Sequence, residues 1–120
     1  MPRHAIYLGT AWEAPTAEAP VWLRRFGRPA GVEAGDRLLL VCEGAVAADA
    51  WRAATLNEHP LAWREVGPGS CECDVTALIA DRNVLAAPAA PEDPTTMPDV
   101  TARVALPAAW GRLSLVIVSD

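Results

Sequence analysis

Lysine is missing from this chain of 120 residues, and all ten of its basic side chains are arginine. Alanine fills about one position in five. Together these read as the base composition of a GC-rich genome, not as phosphate recognition. Fifteen acidic residues outweigh the basic ones and leave a net charge of −5, which excludes nucleic-acid affinity built on phosphate neutralisation. Long apolar runs are also absent. No window approaches the ~18 apolar residues of a membrane span. The N-terminus, Met1-Pro-Arg-His-Ala-Ile-Tyr-Leu-Gly, lacks the apolar stretch of a secretory signal, so a cytoplasmic location is expected. Cysteine is scarce and odd in number, with three in all, which favours reduced thiols over a disulfide framework. Phenylalanine and tyrosine occur once each, against five tryptophans.

What is present describes one globular domain. Hydrophobic residues make up 52% and charged residues 21%, outside the disordered range. A chain of this length buries roughly two-thirds of its unfolded surface, enough for one core. Neither a repeat nor an internal boundary is visible, so residues 1–120 are read as a single β-sandwich domain.

Period-two alternation marks the strands. In Arg37 to Glu43, Leu38, Leu40 and Cys42 share one face, with Leu39 and Val41 on the other. Both faces are apolar, so this strand is expected to be central and covered on each side. Ser70 to Val75 places Cys71, Cys73 and Val75 together, and Arg112 to Val118 does the same for Leu113, Leu115 and Ile117. Further strands are expected at His4 to Leu8 (an edge), Val21 to Arg28, Asn83 to Ala87 and Val100 to Leu106. The alanine-rich stretch before Trp51 is read as a loop. A hairpin follows, with strands at Trp51 to Leu56 and Leu61 to Val66 around Asn57-Glu58. Asp74 is placed to cap the turn Thr76 to Ala80 by accepting backbone N–H bonds. Pro88 to Pro98 is a proline-rich surface loop. Seven to nine short strands separated by turn signals argue for an all-β antiparallel sandwich with Greek-key or jelly-roll connections.

Five segments, in order, carry a resemblance. Trp22-Leu-Arg-Arg-Phe, Gly35-Asp-Arg-Leu-Leu-Leu-Val-Cys-Glu-Gly, Leu56-Asn-Glu-His-Pro-Leu, Cys73-Asp-Val-Thr-Ala-Leu-Ile with Arg82-Asn-Val-Leu, and Trp110-Gly-Arg-Leu-Ser-Leu-Val-Ile resemble the sugar-binding domain of family 2 glycoside hydrolases, the β-galactosidase and β-glucuronidase group. The match runs from Trp22 to Val118. It implies a galactose-binding-like jelly roll. Glu58 stands where that family's hairpin has Gly. A non-Gly residue at positive φ costs ~1 kcal/mol, which points to a different turn type here. The 120 residues hold no counterpart of the family's immunoglobulin-like domain or catalytic barrel, where its carboxylates reside. Glycosidase chemistry is therefore not carried over, and no catalytic residue is assigned.

The surplus of tryptophan directs attention to binding, because sugar rings pack their C–H faces on exposed indoles. Trp22 and Trp110 lie in fold-defining segments and read as structural. Trp12, Trp51 with the adjacent Arg52, and Trp63 lie near turns and are the ligand-binding candidates. Cys71 and Cys73 share a face but lack two further ligands at zinc spacing, so they read as buried inert thiols and no metal or cofactor is expected. His59, at the hairpin tip, reads as a solvated turn residue. Glu92, Asp93 and Asp99 are a calcium candidate set against a plain acidic loop. Of Arg24 and Arg25, one is expected to pair with an inner carboxylate such as Glu43 and the other to face water. The expected function is a non-catalytic ligand-binding module, with carbohydrate the leading ligand class. The alternative is a structural or protein-interaction domain that forms a homo-oligomer or docks on another chain without a small-molecule ligand.

Overall fold

A computed structural model describes residues 3–44, 48–89 and 103–119. Among the described residues, nine strands form two antiparallel sheets. In chain order the strands are β1 (Arg3–Tyr7), β2 (Val21–Gly27), β3 (Arg37–Glu43), β4 (Thr55–Leu56), β5 (His59–Pro60), β6 (Arg64–Gly67), β7 (Ser70–Asp74), β8 (Arg82–Pro88) and β9 (Arg112–Val118). Two short 3-10 turns, Ala48–Ala53 and Ala108–Trp110, interrupt them. The five-stranded sheet runs β1-β9-β3-β7-β6 and the four-stranded sheet β2-β8-β4-β5. The protein is an all-β sandwich, as the alternation implies.

The inward rows close one core. Leu38, Leu40 and Cys42 of β3 lie beside Leu113, Leu115 and Ile117 of β9, and all six are buried. From the other sheet, Trp22, Leu56, Leu85 and Ala87 meet them. β3 sits in the middle of its sheet, and its opposite face is also covered. There Leu39, Val116 and Val118 form a small apolar cluster with Val41 beside it. The Arg37–Asp74 ion pair, at 3.3 Å, and the Arg64–Glu72 pair lie on the neighbouring positions of that outer face. This agrees with the two-sided apolar pattern of Arg37 to Glu43.

At the corner after β7, Asp74 Oδ1 accepts the Thr76 backbone N–H at 2.9 Å and the Thr76 hydroxyl at 2.6 Å. The Thr76 hydroxyl in turn receives the Leu38 N–H at 2.9 Å. One side-chain pair therefore ends β7 and ties it to β3, as the capping reading of Asp74 required.

Three expectations need correction. The alanine-rich stretch does not lead into a strand at Trp51. Trp51, Arg52 and Ala53 belong to a 3-10 turn, and only Thr55–Leu56 extend. The turn lets the Trp51 indole drop fully into the core, which a strand position facing solvent would forbid. The hairpin partner of β4 is His59–Pro60, whereas Arg64–Gly67 crosses to the other sheet and pairs with β7. Pro60 stands opposite Thr55 at a non-hydrogen-bonded position, so the side without an N–H faces the open edge of the sheet. Finally, the strand expected at Val100 to Leu106 is, among the described residues, a single bridge from Val104 to Trp12. Glu92, Asp93 and Asp99, with the loop that carries them, lie outside the described residues.

The hairpin keeps its tight turn despite Glu58. Asn57 has φ 51° and Glu58 φ 70°, with Leu56 directly opposite His59. Two left-handed residues in a two-residue loop define a type I′ turn. Glu58 thus adopts the conformation that was expected to change the turn. The hydrogen bonds of Asn57 to Leu78, Asn83 and Val84 hold the turn there.

Candidate functional site

Among the described residues, the outer side of the smaller sheet is half-buried at its centre and exposed at Arg25 and Arg82. Along β8 the buried positions Asn83, Leu85 and Ala87 point into the core, so Arg82, Val84 and Ala86 form the outer row. Across β2 lie Leu23 and Arg25, opposite Ala86 and Val84. Across β4 lies Thr55, also opposite Ala86. Small side chains in the middle and longer ones at the margins produce a trough. It consists of two adjoining depressions with Val84 common to both. One, of about 460 Å³, is lined by Arg25, Asp81, Arg82 and Val84. The other, of about 490 Å³, is lined by Leu23, Thr55, Glu58, Val84 and Ala86.

The polar margins are fixed from beneath. Asn57 donates from Nδ2 to Asn83 Oδ1 at 2.9 Å and to the Leu78 carbonyl at 3.0 Å. Its Oδ1 accepts the Val84 N–H at 2.9 Å, and its own N–H reaches the Val84 carbonyl. Asn83 is buried at 1% exposure. Its Oδ1 also accepts the Ala80 N–H, and its Nδ2 donates to the carbonyls of Phe26 and Ala80. Two asparagines thus bind β2, the corner, β8 and the hairpin turn into one unit. The turn holding Glu58 is thereby fixed over one end of the trough. Such buried amides persist only when their donors and acceptors are satisfied.

Charges at the trough are already partly matched. Arg25 Nε lies 2.7 Å from Glu13 Oε2, and Arg28 Nε lies 3.5 Å from Asp81 Oδ1. The expected pairing of one arginine with Glu43 does not occur. Arg25 faces outward to Glu13, while Arg24 turns to carbonyls, donating from Nε to Thr10 O at 2.7 Å and from Nη1 to Arg25 O at 2.6 Å. Burial lowers the Arg24 pKa. Glu43 stands opposite Arg112 and Ser70 in the larger sheet.

The tryptophans chosen from the sequence occupy a different place. Trp12, Trp51 and Trp63 do come together, but inside the sandwich. Trp51 packs at 6.3 Å from Trp12, 6.0 Å from Trp63 and 4.8 Å, edge to face, from Trp110. Trp12 and Trp51 have no exposed surface. Their indole N–H groups are committed to the Leu8 carbonyl at 2.5 Å and the Trp110 carbonyl at 3.0 Å. Trp63 is partly buried and donates to the Trp51 carbonyl at 2.8 Å. A sugar cannot stack on Trp12 or Trp51 without opening the core. Arg52 is the exposed member of that set. The reason is compositional: with one Phe and one Tyr in the chain, tryptophan does the work of filling large core volumes.

Sequence reasoning missed the trough. Its floor is alanine, valine and leucine, which carry no chemical signature. Its existence depends on which strands become neighbours.

The thiols are poor nucleophiles. Burial raises the Cys42 pKa to about 12, with Cys71 adding to the effect. Cys42 Sγ lies 3.2 Å from the Trp110 carbonyl. Burial raises Cys71 and Cys73 as well, and all three are free. Among the described residues, no group of three or more His, Cys, Asp and Glu side chains is arranged to hold a metal ion. No described helix is long and apolar enough to cross a membrane. His59 is exposed in β5.

No protein-family model matches the chain, and a comparison with curated proteins finds no relative.

Proposed function

We propose that this sandwich is a non-catalytic ligand-binding module, that carbohydrate is its ligand class, and that the ligand lies in the trough across the outer face of the four-stranded sheet. The observation that carries this reading is the composition of the margins around Val84. Arginine donors (Arg25 and Arg82), carboxylate acceptors (Asp81 and Glu58) and the Thr55 hydroxyl alternate around an aliphatic floor of Leu23, Val84 and Ala86. A sugar ring presents the complementary pattern, with hydroxyls that both donate and accept and apolar C–H faces between them. The two depressions have the volume of small-ligand sites. The ordered resemblance to the sugar-binding domain of family 2 glycoside hydrolases, and the galactose-binding-like jelly roll it implies, support the same class.

The contact is aliphatic where sugar sites commonly use indoles. Arg25 and Asp81 must also loosen existing ion pairs to engage a ligand. Both features point to weak binding, with dissociation constants on the order of a millimolar. Calorimetry and a glycan array over neutral oligosaccharides test the reading. Binding abolished by Arg82→Ala and Glu58→Ala supports it, and a blank array at high protein concentration removes it.

A further inference from the structure

The two sheets have four edges, and β1 differs from the other three. β6 is broken by a register shift between Glu65 and Gly67. β5 is two residues long and contains Pro60. On β2, Leu23 exchanges backbone bonds in both directions with Glu13, the Val21 N–H goes to Ala19, and the Arg25 carbonyl is taken by Arg24. Bulges, proline, short length and covering segments are the usual protections of a sheet edge. β1 is five residues long, with no bulge and no internal proline.

The hydrogen-bond phase of β1 follows from its pairing. The Leu8 N–H donates to Leu113 O at 2.9 Å. Hydrogen-bonded and non-bonded pairs alternate along an antiparallel ladder, so His4 and Ile6 also turn their backbone groups toward β9. The N–H and C=O groups of Arg3, Ala5 and Tyr7 therefore point to the open side. Among the described residues they have no backbone partner there, and all three residues are exposed.

We propose that β1 pairs antiparallel with β1 of a second copy of this chain, about a two-fold axis at Ala5, so that the two five-stranded sheets become one continuous sheet. The outward groups fit this partner. Ala5 faces Ala5 of the second copy, and Arg3 faces Tyr7 of the second copy. Each facing pair exchanges two hydrogen bonds. The alanine methyl at the axis lets the strands close without a clash; the Tyr7 ring facing Arg3 of the second copy already carries the Arg112 guanidinium, 4.4 Å from its centroid, so the fit rests on the backbone groups. The association does not depend on whether the trough binds sugar.

Ala5 faces itself across the axis, so a charge placed there meets its own image. Sedimentation velocity of the full chain is expected to show a concentration-dependent monomer–dimer equilibrium. Ala5→Lys and Ala5→Glu each weaken it by about tenfold or more. An equimolar mixture of the two variants restores a dimer. Thermal unfolding confirms that both variants stay folded. In the wild type, amide exchange of Ala5 and Tyr7 slows as concentration rises, while that of His4 does not change. A wild-type chain that stays monomeric to about 1 mM overturns the proposal. So does a dimer indifferent to both substitutions, or a mixture of the variants that stays monomeric.

Discussion

Asn57 and Asn83 share a hydrogen bond of 2.9 Å from amide to amide, and through it the hairpin turn is locked to the strand beneath the trough. Asn83 is the one buried polar side chain among the described residues. Among those residues, no buried side-chain nitrogen or oxygen lacks a partner. Removing the Asn83 amide takes the acceptor from the Ala80 N–H and from one Asn57 N–H, and takes a donor from the Ala80 and Phe26 carbonyls. Asn83→Ala should therefore cost about 2 kcal/mol, above the ~1 kcal/mol of a single hydrogen bond, because one buried side chain makes four of them. Urea unfolding of the variant against wild type measures it.

Glu58 offers the opposite case. Its φ of 70° is unfavourable for a side chain with a Cβ and free for glycine. Glu58→Gly should raise stability by about 0.5–1 kcal/mol, after allowing for the greater freedom glycine brings to the unfolded chain. A rise in Tm is the readout. The same substitution removes a proposed trough acceptor, so stability and sugar affinity should move in opposite directions.

Asp74 makes part of the stability pH-dependent. The Thr76 hydroxyl and backbone N–H hold its carboxyl below the usual range, with Arg37 adding to the effect. A folded-state pKa below the unfolded value, about 3.9 for aspartate, stabilises the fold above that value. The contribution is lost as pH falls through the lowered folded pKa. Asp74→Asn keeps an acceptor for Thr76 but cannot titrate. Its acid unfolding curve should be shallower than that of wild type below about pH 4.

Cys42 acts at the other end of the scale. Burial holds its pKa at about 12, whereas a cysteine in the unfolded chain ionises near 8.5. The stabilisation is complete below the unfolded value and is lost as pH climbs toward the folded one. Alkaline destabilisation should therefore be smaller in Cys42→Ala. In wild type at pH about 8, a thiol reagent should reach Cys42 only on unfolding.

Much of the fold was legible because alternation and turn chemistry are local. Leu113, Leu115 and Ile117 declared an inward row, and Asp74 declared a corner. The 3-10 turn at Trp51 is hidden in the sequence because its alanines favour helix by propensity while the Asn57-Glu58 turn after it reads as a hairpin. Its position is set by the core space that an indole fills between Trp12, Trp63 and Trp110. The partner of β4 was misassigned because strand pairing is a long-range choice, and a two-residue strand carries almost no pattern. The trough was illegible for the same reason: Leu23, Val84, Ala86 and Thr55 acquire meaning only as neighbours in a sheet.

The binding claim is tested most directly by titrating isotope-labelled protein with neutral oligosaccharides and following backbone amide shifts. Saturable shifts centred on Thr55, Glu58, Arg82, Val84 and Ala86, with the indole signals of Trp12 and Trp51 unmoved, are the predicted result. Shifts confined to Arg52 and Trp63, or none at any sugar concentration, would contradict it.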